Sequence, residues 1–251
     1  VTFAAGHDEF ARWQRRNVHA HRVPGYAAVS VSLKRVGIPP GDITADELDA
    51  VAALADKYTQ GELRVTHEQN LVFPDVEKSE LPALWRELKA LGMAVPNIGL
   101  IGNIIACPGG DFCDLANAVS IPVAAAIHER FESLDYQFDI GELDLNISGC
   151  INACGHHHVG HIGILGVDKH DEEWYQITIG GAQSIAQGGA QTAKIGKIIG
   201  PSFARAEVAD VVETLIQTYL GLRERDDERF VDVVARVGID PFKERVYAEA
   251  D

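Results

Sequence analysis

Four cysteines in two short pairs are the feature that most constrains this chain of 251 residues. Cys107 and Cys113 have five residues between them, and Cys150 and Cys154 have three. Thirty-six residues separate the two pairs, and the chain has no other cysteine. Glycine and proline lie close to the cysteines, so each pair is expected in a loop at the end of a regular element. If one inorganic centre takes all four thiols, the fold has to bring these two loops together.

Three kinds of site are compatible with the two pairs. Zinc sites normally have two to four residues between paired ligands, so an interval of five is unusual for zinc. Iron–sulfur clusters held by four cysteines accept a wider range of spacings. The thiols can also be four unrelated buried side chains, because free cysteine behaves as a small apolar residue. Two close pairs with no cysteine elsewhere favour the cluster.

The composition argues against several other classes of protein. The chain has 22 Lys and Arg against 37 Asp and Glu, a formal net charge of −15, whereas nucleic-acid binding needs concentrated basic residues. No apolar run approaches the roughly 20 residues that span a bilayer, and the N-terminal stretch lacks the apolar centre of a signal peptide. Four cysteines are too few for a disulfide-stapled secreted domain. We therefore predict a cytoplasmic protein that binds neither nucleic acid nor a membrane.

The distribution of apolar and breaker residues predicts an α+β fold in three segments. Residues 1–25 are expected to form an arm or linker. Within 26–92, alternating residues predict strands near 29–33, 63–66 and 71–73, and two helices are predicted to begin at Thr44, with Glu47 in a capping box, and at Ser79. This β-α-β-β-α order is a ferredoxin-like half-repeat that lacks the final strand and is expected to need a partner. Residues 93–251 are predicted to form an α/β domain that contains all four cysteines and has a helical C-terminal part, where apolar residues from Val208 to Tyr219 recur at helix spacing.

The sequences around the cysteines resemble the signature of a known family. Ala-Cys-Pro-Gly-Gly-Asp-Phe-Cys at 106–113 and Ser-Gly-Cys-Ile-Asn-Ala-Cys-Gly-His-His-His at 148–158 are similar to the motifs of sirohaem-dependent sulfite and nitrite reductases. Residues 62–71 resemble that family's ferredoxin-like half-repeat, and residues 174–181 resemble the strand after its second cysteine pair. The resemblance covers nearly the whole chain. It implies a [4Fe–4S] cluster coupled to sirohaem through a shared cysteine thiolate.

The resemblance also implies roles for individual residues. Cys154 would be the proximal ligand of the sirohaem iron, which leaves the opposite axial position open for substrate. Asn152 would touch the cofactor, or alternatively satisfy the backbone of a tight turn. The four cluster ligands would be Cys107, Cys113, Cys150 and Cys154. The glycines that would let backbone approach the cluster closely are Gly109, Gly110, Gly149 and Gly155.

Several basic and histidine side chains carry weaker hypotheses. Consecutive residues of a strand point to opposite faces, so we do not expect one metal ion to be bound by all of His156, His157, His158 and His161. The resemblance includes these positions and implies that they line the cofactor domain. His67 is read as structural rather than facing the cofactor. For Arg64 a structural role and a role near the substrate stay open, and Lys194 and Lys197 are expected to be exposed.

The resemblance is to the C-terminal half of such enzymes, in which two pseudo-repeated halves hold sirohaem between them. The chain starts at Val1 and has Met93 as its one methionine, so we expect upstream sequence and an N-terminal half as partner. The basic residues that bind the sirohaem carboxylates and an anionic substrate are expected in that half.

The implied activity is the six-electron reduction of sulfite to sulfide in sulfur assimilation, with electrons from ferredoxin or a flavoprotein. One alternative is the reduction of nitrite to ammonia by a member of the same family. The other is a non-catalytic iron–sulfur or zinc module.

Overall fold

The computed structural model describes residues 2–183 and 193–248. The chain divides into two compact units, Val1–Ile98 and Gly99–Asp251. This division lies six residues beyond the end predicted for the half-repeat, at 92. No helix in the two described ranges is both long and apolar enough to cross a bilayer.

The first unit contains a four-stranded antiparallel sheet. In chain order its elements are α1 (Thr2–Asn17), β1 (Val18–Ala20), β2 (Tyr26–Val31), α2 (Ala45–Tyr58), β3 (Arg64–Val65), β4 (Leu71–Glu77) and α3 (Leu81–Ala90). The strand order across the sheet is β1-β2-β4-β3. The predicted β-α-β-β-α half-repeat is therefore confirmed as the run from β2 to α3.

The prediction of an arm or linker over residues 1–25 is wrong, because α1 and β1 lie there. Trp13 of α1 is fully buried in the core of the unit, and β1 pairs with β2, with Val18 opposite Val29. The final strand of a ferredoxin-like fold lies beside its first strand. Here β1 takes that edge position, so residues before the half-repeat complete its sheet.

Local signals explain most of the helix and strand ends in this unit. Thr44 caps α2 with the predicted capping box, and both of its hydrogen bonds with Glu47 are present. The cap of α3 is Glu80 rather than Ser79, and no side chain of the cap bonds to the helix. The strand expected to end before Pro74 continues through it, because the pairing of β2 with β4 shifts register there. A bulge is one of the few places where a sheet accepts proline.

Lys34 is a fully buried side chain whose importance the sequence did not indicate. Its Nζ donates to the backbone oxygens of Glu68 at 2.7 Å and Gln69 at 3.1 Å. Burial lowers the pKa of Lys34 to about 7, although the nearby Glu68 carboxylate acts in the opposite direction. The amine therefore ties the segment after β2 to the turn that precedes β4.

Lys34→Met tests this burial through the pH dependence of stability. The pKa of Lys34 is about 7 in the folded chain against an ordinary value of 10.5, so the folded chain binds fewer protons between these pH values. The free energy of unfolding of the wild type, relative to Lys34→Met, should then rise with pH across this window, by at most about 1.4 kcal/mol per pH unit. Denaturant unfolding of both chains at several pH values measures the difference, and a flat difference would contradict the assignment.

The second unit contains a six-stranded mixed sheet. Its elements are β5 (Ile105–Ala106), α4 (Ile121–Arg130), α5 (Leu134–Ile140), β6 (Leu145–Ser148), a 3-10 turn (His157–Val159), β7 (Ile162–Lys169), β8 (Glu172–Ile179), β9 (Lys197–Ile198), β10 (Phe203–Ala204), α6 (Val208–Leu222), α7 (Phe230–Val237) and α8 (Asp240–Tyr247). The order is β10-β8-β7-β6-β5, and β9 also pairs with β8. β5, β6 and β7 are parallel, and β8 is antiparallel to its neighbours.

The core of the second unit lies between this sheet and its helices. All four residues of β6 are buried, as expected for a strand with neighbours on both sides and covered faces. β7 and β8 form a hairpin whose turn residues, His170 and Asp171, have φ values of 60° and 61°, as the tight turns of twisted hairpins require. The apolar face predicted for α6 is confirmed as buried, including Val212, Leu215 and Tyr219.

Candidate functional site

Both cysteine pairs follow neighbouring parallel strands. Cys107 comes directly after β5, and Cys150 lies two residues after the end of β6. Ala106 pairs with Ile147, and the N–H of Cys107 donates to the Ile147 oxygen at 3.1 Å. Because the carboxyl ends of parallel strands lie at one edge of a sheet, the first loop (residues 107–113) and the second loop (residues 149–155) start side by side.

Two glycines allow the loops to touch through their backbones. A Cβ on Gly149 would lie 2.7 Å from Gly109 Cα and 2.6 Å from the Ala118 oxygen. Gly109 has a φ of 58°, and a Cβ there would lie 2.6 Å from the Ser120 nitrogen. A side chain at either position would push the loops apart.

The other two glycines predicted to approach the cofactor differ from each other. A Cβ on Gly155 would lie 2.0 Å from the Ile147 oxygen, so this position also needs glycine for packing. A Cβ on Gly110 would be no closer than 3.4 Å to any neighbour, which is ordinary contact. The close approaches made at Gly109, Gly149 and Gly155 are therefore to protein backbone.

A third segment, residues 117–121, bonds to both loops and is called the bridging segment below. The N–H groups of Asn117 and Ala118 donate to the Gly149 oxygen at 2.9 and 3.1 Å. The Ala118 oxygen accepts from the Gly110 N–H at 2.9 Å. Asp111 of the first loop accepts from the N–H groups of Ser120 and Ile121 at 3.3 and 3.1 Å. The bridging segment thus holds the first loop and the second loop together.

The four thiols are free, but their environments differ. Cys150 is buried, Cys107 and Cys113 are half-buried, and Cys154 is exposed. The Sγ of Cys107 accepts a hydrogen bond from the Gly149 N–H at 3.1 Å and lies 3.7 Å from the Ser120 hydroxyl. Amide hydrogen bonds to a cysteine sulfur favour the thiolate form that metals bind, and they set the potential of iron–sulfur clusters.

The donor set fits a cluster better than a single ion. Across residues 2–183 and 193–248, which include all four cysteines, no three His, Cys, Asp or Glu side chains form a group that could hold a metal ion. A tetrahedral zinc site needs four ligands converging within roughly 2.3 Å of one point. In a four-iron cluster each thiolate bonds a different iron, so the thiols stand farther apart. The two touching loops carry four free thiols, which is the donor set of a four-cysteine cluster.

Asn152 lies in the tight turn of the second loop, with its side chain exposed. The turn is closed by backbone groups, because the Ala153 N–H donates to the Cys150 oxygen at 3.1 Å. Ala153 has a φ of 56°, in the left-handed region that favours glycine. Within the described part of the chain the Asn152 side chain makes no hydrogen bond, so the alternative that it satisfies this turn has no support.

Of the histidines after the second loop, His157 and His158 lie on a 3-10 turn and His156 caps it, so the argument that treated these residues as a strand is wrong. His156 and His158 are exposed, whereas His157 and His161 are buried. Burial lowers the pKa of His157 and of His161 to about 4, so both rings are neutral near pH 7. The Nδ1 of His161 accepts from the Asp144 N–H at 3.2 Å, and this bond fixes the ring against the start of β6.

The remaining candidates lie at the surface. His67, predicted to be structural, has a side chain 63% exposed, and Arg64, for which two roles stayed open, has one 61% exposed. Arg64 pairs with Glu62 at 2.5 Å, and neither side chain is packed in the core of its unit. Lys194 and Lys197 are exposed, as predicted.

Two family models together match most of the chain. The model described as the Nitrite/Sulfite reductase ferredoxin-like half domain matches residues 33–91. The model described as the Nitrite and sulphite reductase 4Fe-4S domain matches residues 99–251, which include both cysteine pairs.

Relatives in several organisms are similar to the chain. The chloroplastic ferredoxin–nitrite reductase of Betula pendula is 35% identical over 64% of this chain and 27% of its own length. A sulfite reductase [ferredoxin] of Mycobacterium tuberculosis is 27% identical over 87% of this chain and 40% of its own length. The solved structure of the Mycobacterium tuberculosis NirA protein has a TM-score of 0.69 at 26% identity, over 90% of this chain and 41% of that one. The chain therefore spans less than half the length of these relatives.

The contact between the loops predicts a large effect of substitution at one glycine and a small effect at another. Gly149→Ala should lower the free energy of unfolding by about 1–3 kcal/mol, because its Cβ would overlap backbone atoms that cannot move independently. Gly110→Ala, where the space is open, should change it by no more than about 0.5 kcal/mol. Denaturant unfolding in the same cofactor state compares the two variants, and equal effects would show that the loops do not touch as described.

Proposed function

The chain belongs to the nitrite and sulfite reductase family, and we propose that it forms the cluster-bearing part of an assimilatory sirohaem reductase. The cofactors of this family are a [4Fe–4S] cluster and sirohaem. The observation that carries the proposal is the contact between the first loop and the second loop, which gathers the four thiols at one sheet edge. The chain spans less than half the length of these relatives. The reductase activity of a whole enzyme that contains this chain is therefore part of what we propose.

The four cysteines are the residues proposed to hold the cluster. Cys154 is also proposed as the proximal ligand of the sirohaem iron, because a sulfur shared with a second centre has to be accessible and Cys154 is the exposed thiol of the set. Asn152, two residues earlier and exposed, is proposed to contact the cofactor. One sulfur bonded to both centres would give electrons a short covalent path.

The chain's own groups prepare the site for this chemistry. When bound, the two cofactors supply one-electron transfer and an open iron position for substrate. The Gly149 N–H bond to Cys107 Sγ stabilises the negative charge that reduction places on the thiolates. Burial of Cys150 keeps water from its sulfur, whereas Cys154 faces out of the domain.

We propose sulfite as the substrate, reduced with six electrons to sulfide. The sulfite reductase of Mycobacterium tuberculosis supports this, since it matches 87% of the chain. Nitrite, reduced to ammonia, is the second candidate, because the nitrite reductases of Betula pendula and Spinacia oleracea have higher identities, 35% and 34%, over 64% of the chain. Ferredoxin is the proposed electron donor, because the nitrite reductases and the sulfite reductase among the relatives are both named for ferredoxin, which favours it over a flavoprotein.

An N-terminal half of the enzyme is the proposed partner. Sirohaem carries several carboxylates and both candidate substrates are anions, so their site needs positive charge. This chain has a formal net charge of −15, which favours a location of the compensating basic residues outside it. We place the enzyme in the cytoplasm, where reducing conditions keep the thiols free for metal binding.

Cofactor analysis tests the proposal against a non-catalytic module. The full-length enzyme should contain about five iron atoms per chain, four in the cluster and one in sirohaem, together with about four acid-labile sulfide atoms and the absorption bands of sirohaem. Cys154→Ser should remove the cluster bands and change the sirohaem spectrum together, while Ile198→Ser, at an exposed position of β9 outside both loops, should alter neither. Stoichiometric zinc without iron would refute the reductase, and an unchanged sirohaem spectrum in Cys154→Ser would refute the shared thiolate.

Steady-state kinetics of the full-length enzyme test the choice of substrate. With reduced ferredoxin as donor, kcat/KM for sulfite should exceed kcat/KM for nitrite by about tenfold or more. The same assay at matched donor concentrations provides both values. A preference for nitrite would replace sulfite with the second candidate and leave the cluster assignment intact.

A further inference from the structure

The bridging segment is held on its other side by two residues of β8 to which the proposed function gives no role. Tyr175 is fully buried, and its Oη donates to the Val119 oxygen at 2.9 Å. The carboxylate of Glu173 accepts from the Val119 N–H at 3.2 Å and from the Tyr175 hydroxyl at 3.4 Å. Both polar backbone groups of Val119 are therefore bound by side chains of one strand.

The chemistry of Tyr175 and Glu173 suits lasting hydrogen bonds to Val119. Burial, followed by the charge of Glu173, raises the pKa of Tyr175, so the phenol stays protonated and remains a donor. The guanidinium of Arg205 lies 3.8 Å from Glu173 Oε2, the oxygen that also accepts from the Tyr175 hydroxyl. Residues 173 and 175 lie on the same face of β8, because side chains alternate along a strand.

A continuous set of contacts leads from Val119 to a cysteine sulfur. Val119 forms an antiparallel bridge with Gly109 of the first loop. Its neighbour Ala118 bonds to both loops, to Gly110 and to the oxygen of Gly149. The N–H of the same Gly149 donates to Cys107 Sγ at 3.1 Å.

We propose that Tyr175 and Glu173 are positioning residues for the iron–sulfur site. They fix the bridging segment, and through it the contact between the two loops and the Gly149 bond to Cys107 Sγ. Neither residue is itself a ligand of the cluster. The inference rests on the proposed function, because it requires a cluster held by the four thiols.

The sign of the effect follows from the hydrogen bond to sulfur. A hydrogen bond from a backbone amide to a thiolate stabilises the reduced, more negative cluster and therefore raises the midpoint potential of the cluster. If the bridging segment loosens, the hydrogen bond from the Gly149 N–H to Cys107 Sγ lengthens, and the midpoint potential of the cluster falls. A looser pair of loops also exposes the iron to chelators.

The test compares variants of the full-length enzyme that contains this chain. Tyr175→Phe removes the hydroxyl and keeps the ring, and Glu173→Ala removes the acceptor while Glu173→Gln keeps an oxygen. Tyr219→Phe is the matched control, because Tyr219 is also buried and its Oη donates to the oxygens of Ile140 and Glu228 at 3.0 and 2.8 Å, away from both loops. The readouts are the midpoint potential from an EPR-monitored redox titration and the rate of iron loss to a chelator.

Tyr175→Phe and Glu173→Ala should show a lower midpoint potential and iron loss about tenfold faster, the size expected when a buried hydrogen bond is removed. Glu173→Gln should stay close to the wild type. Tyr219→Phe should lower the temperature of unfolding without moving the potential. A Tyr175→Phe enzyme that folds but does not take up iron also supports the inference.

If Glu173→Ala fails to fold, Tyr175→Phe and Glu173→Gln still decide the question. A potential and a chelation rate in Tyr175→Phe equal to those of Tyr219→Phe overturn the positioning role, while the cluster of the wild type stands. A wild-type enzyme without iron and sulfide overturns the proposed function itself, so the two failures are distinct.

Discussion

The backbone contact between Gly109 and Gly149 is the constraint on which the rest of the site depends. Cysteines separated by 36 residues can share one centre only if their loops meet, and here the loops meet with no side chain between them. The parallel pairing of β5 with β6 brings the loops near each other, because both loops then begin at the same edge of the sheet. Parallel strands also need a crossover, usually helical, of a dozen or more residues. The interval between the pairs contains this crossover, as α4 and α5.

The features that the sequence predicted well are those that depend on nearby residues. The capping box at Thr44, the buried face of α6 and the placement of both cysteine pairs in glycine-rich loops all follow from short-range patterns. In each case the chemistry that fixes the structure lies within one or two helical turns or one loop. The same patterns locate the candidate site, because the cysteines are the proposed ligands and their loops lie at one edge of the sheet.

The features that the sequence missed depend on contacts between distant segments. β1 has three residues, two of them exposed, so its sequence lacks the alternation of apolar and polar residues by which a strand is predicted. Lys34 can be buried because its Nζ donates hydrogen bonds to backbone oxygens more than thirty positions later in the chain. Glu173 and Tyr175 bind Val119 across 54 and 56 positions. A charged or phenolic side chain in a strand is more often at the surface, and only the folded partner reverses that expectation.

The surface around the two loops bears on the partner that is proposed for this chain. Phe112, Leu115 and Ile151, which lie in or next to the loops, are 83%, 73% and 76% exposed. Large apolar side chains that are exposed together are costly in water and commonly mark a face that is covered in the functional protein. The exposed thiol of Cys154 lies in the same loop as Ile151. An accessible sulfur among uncovered apolar side chains is what the proposal of sirohaem and a second half at this edge requires. It also explains why a chain with free thiols buries Cys150 and leaves Cys154 open.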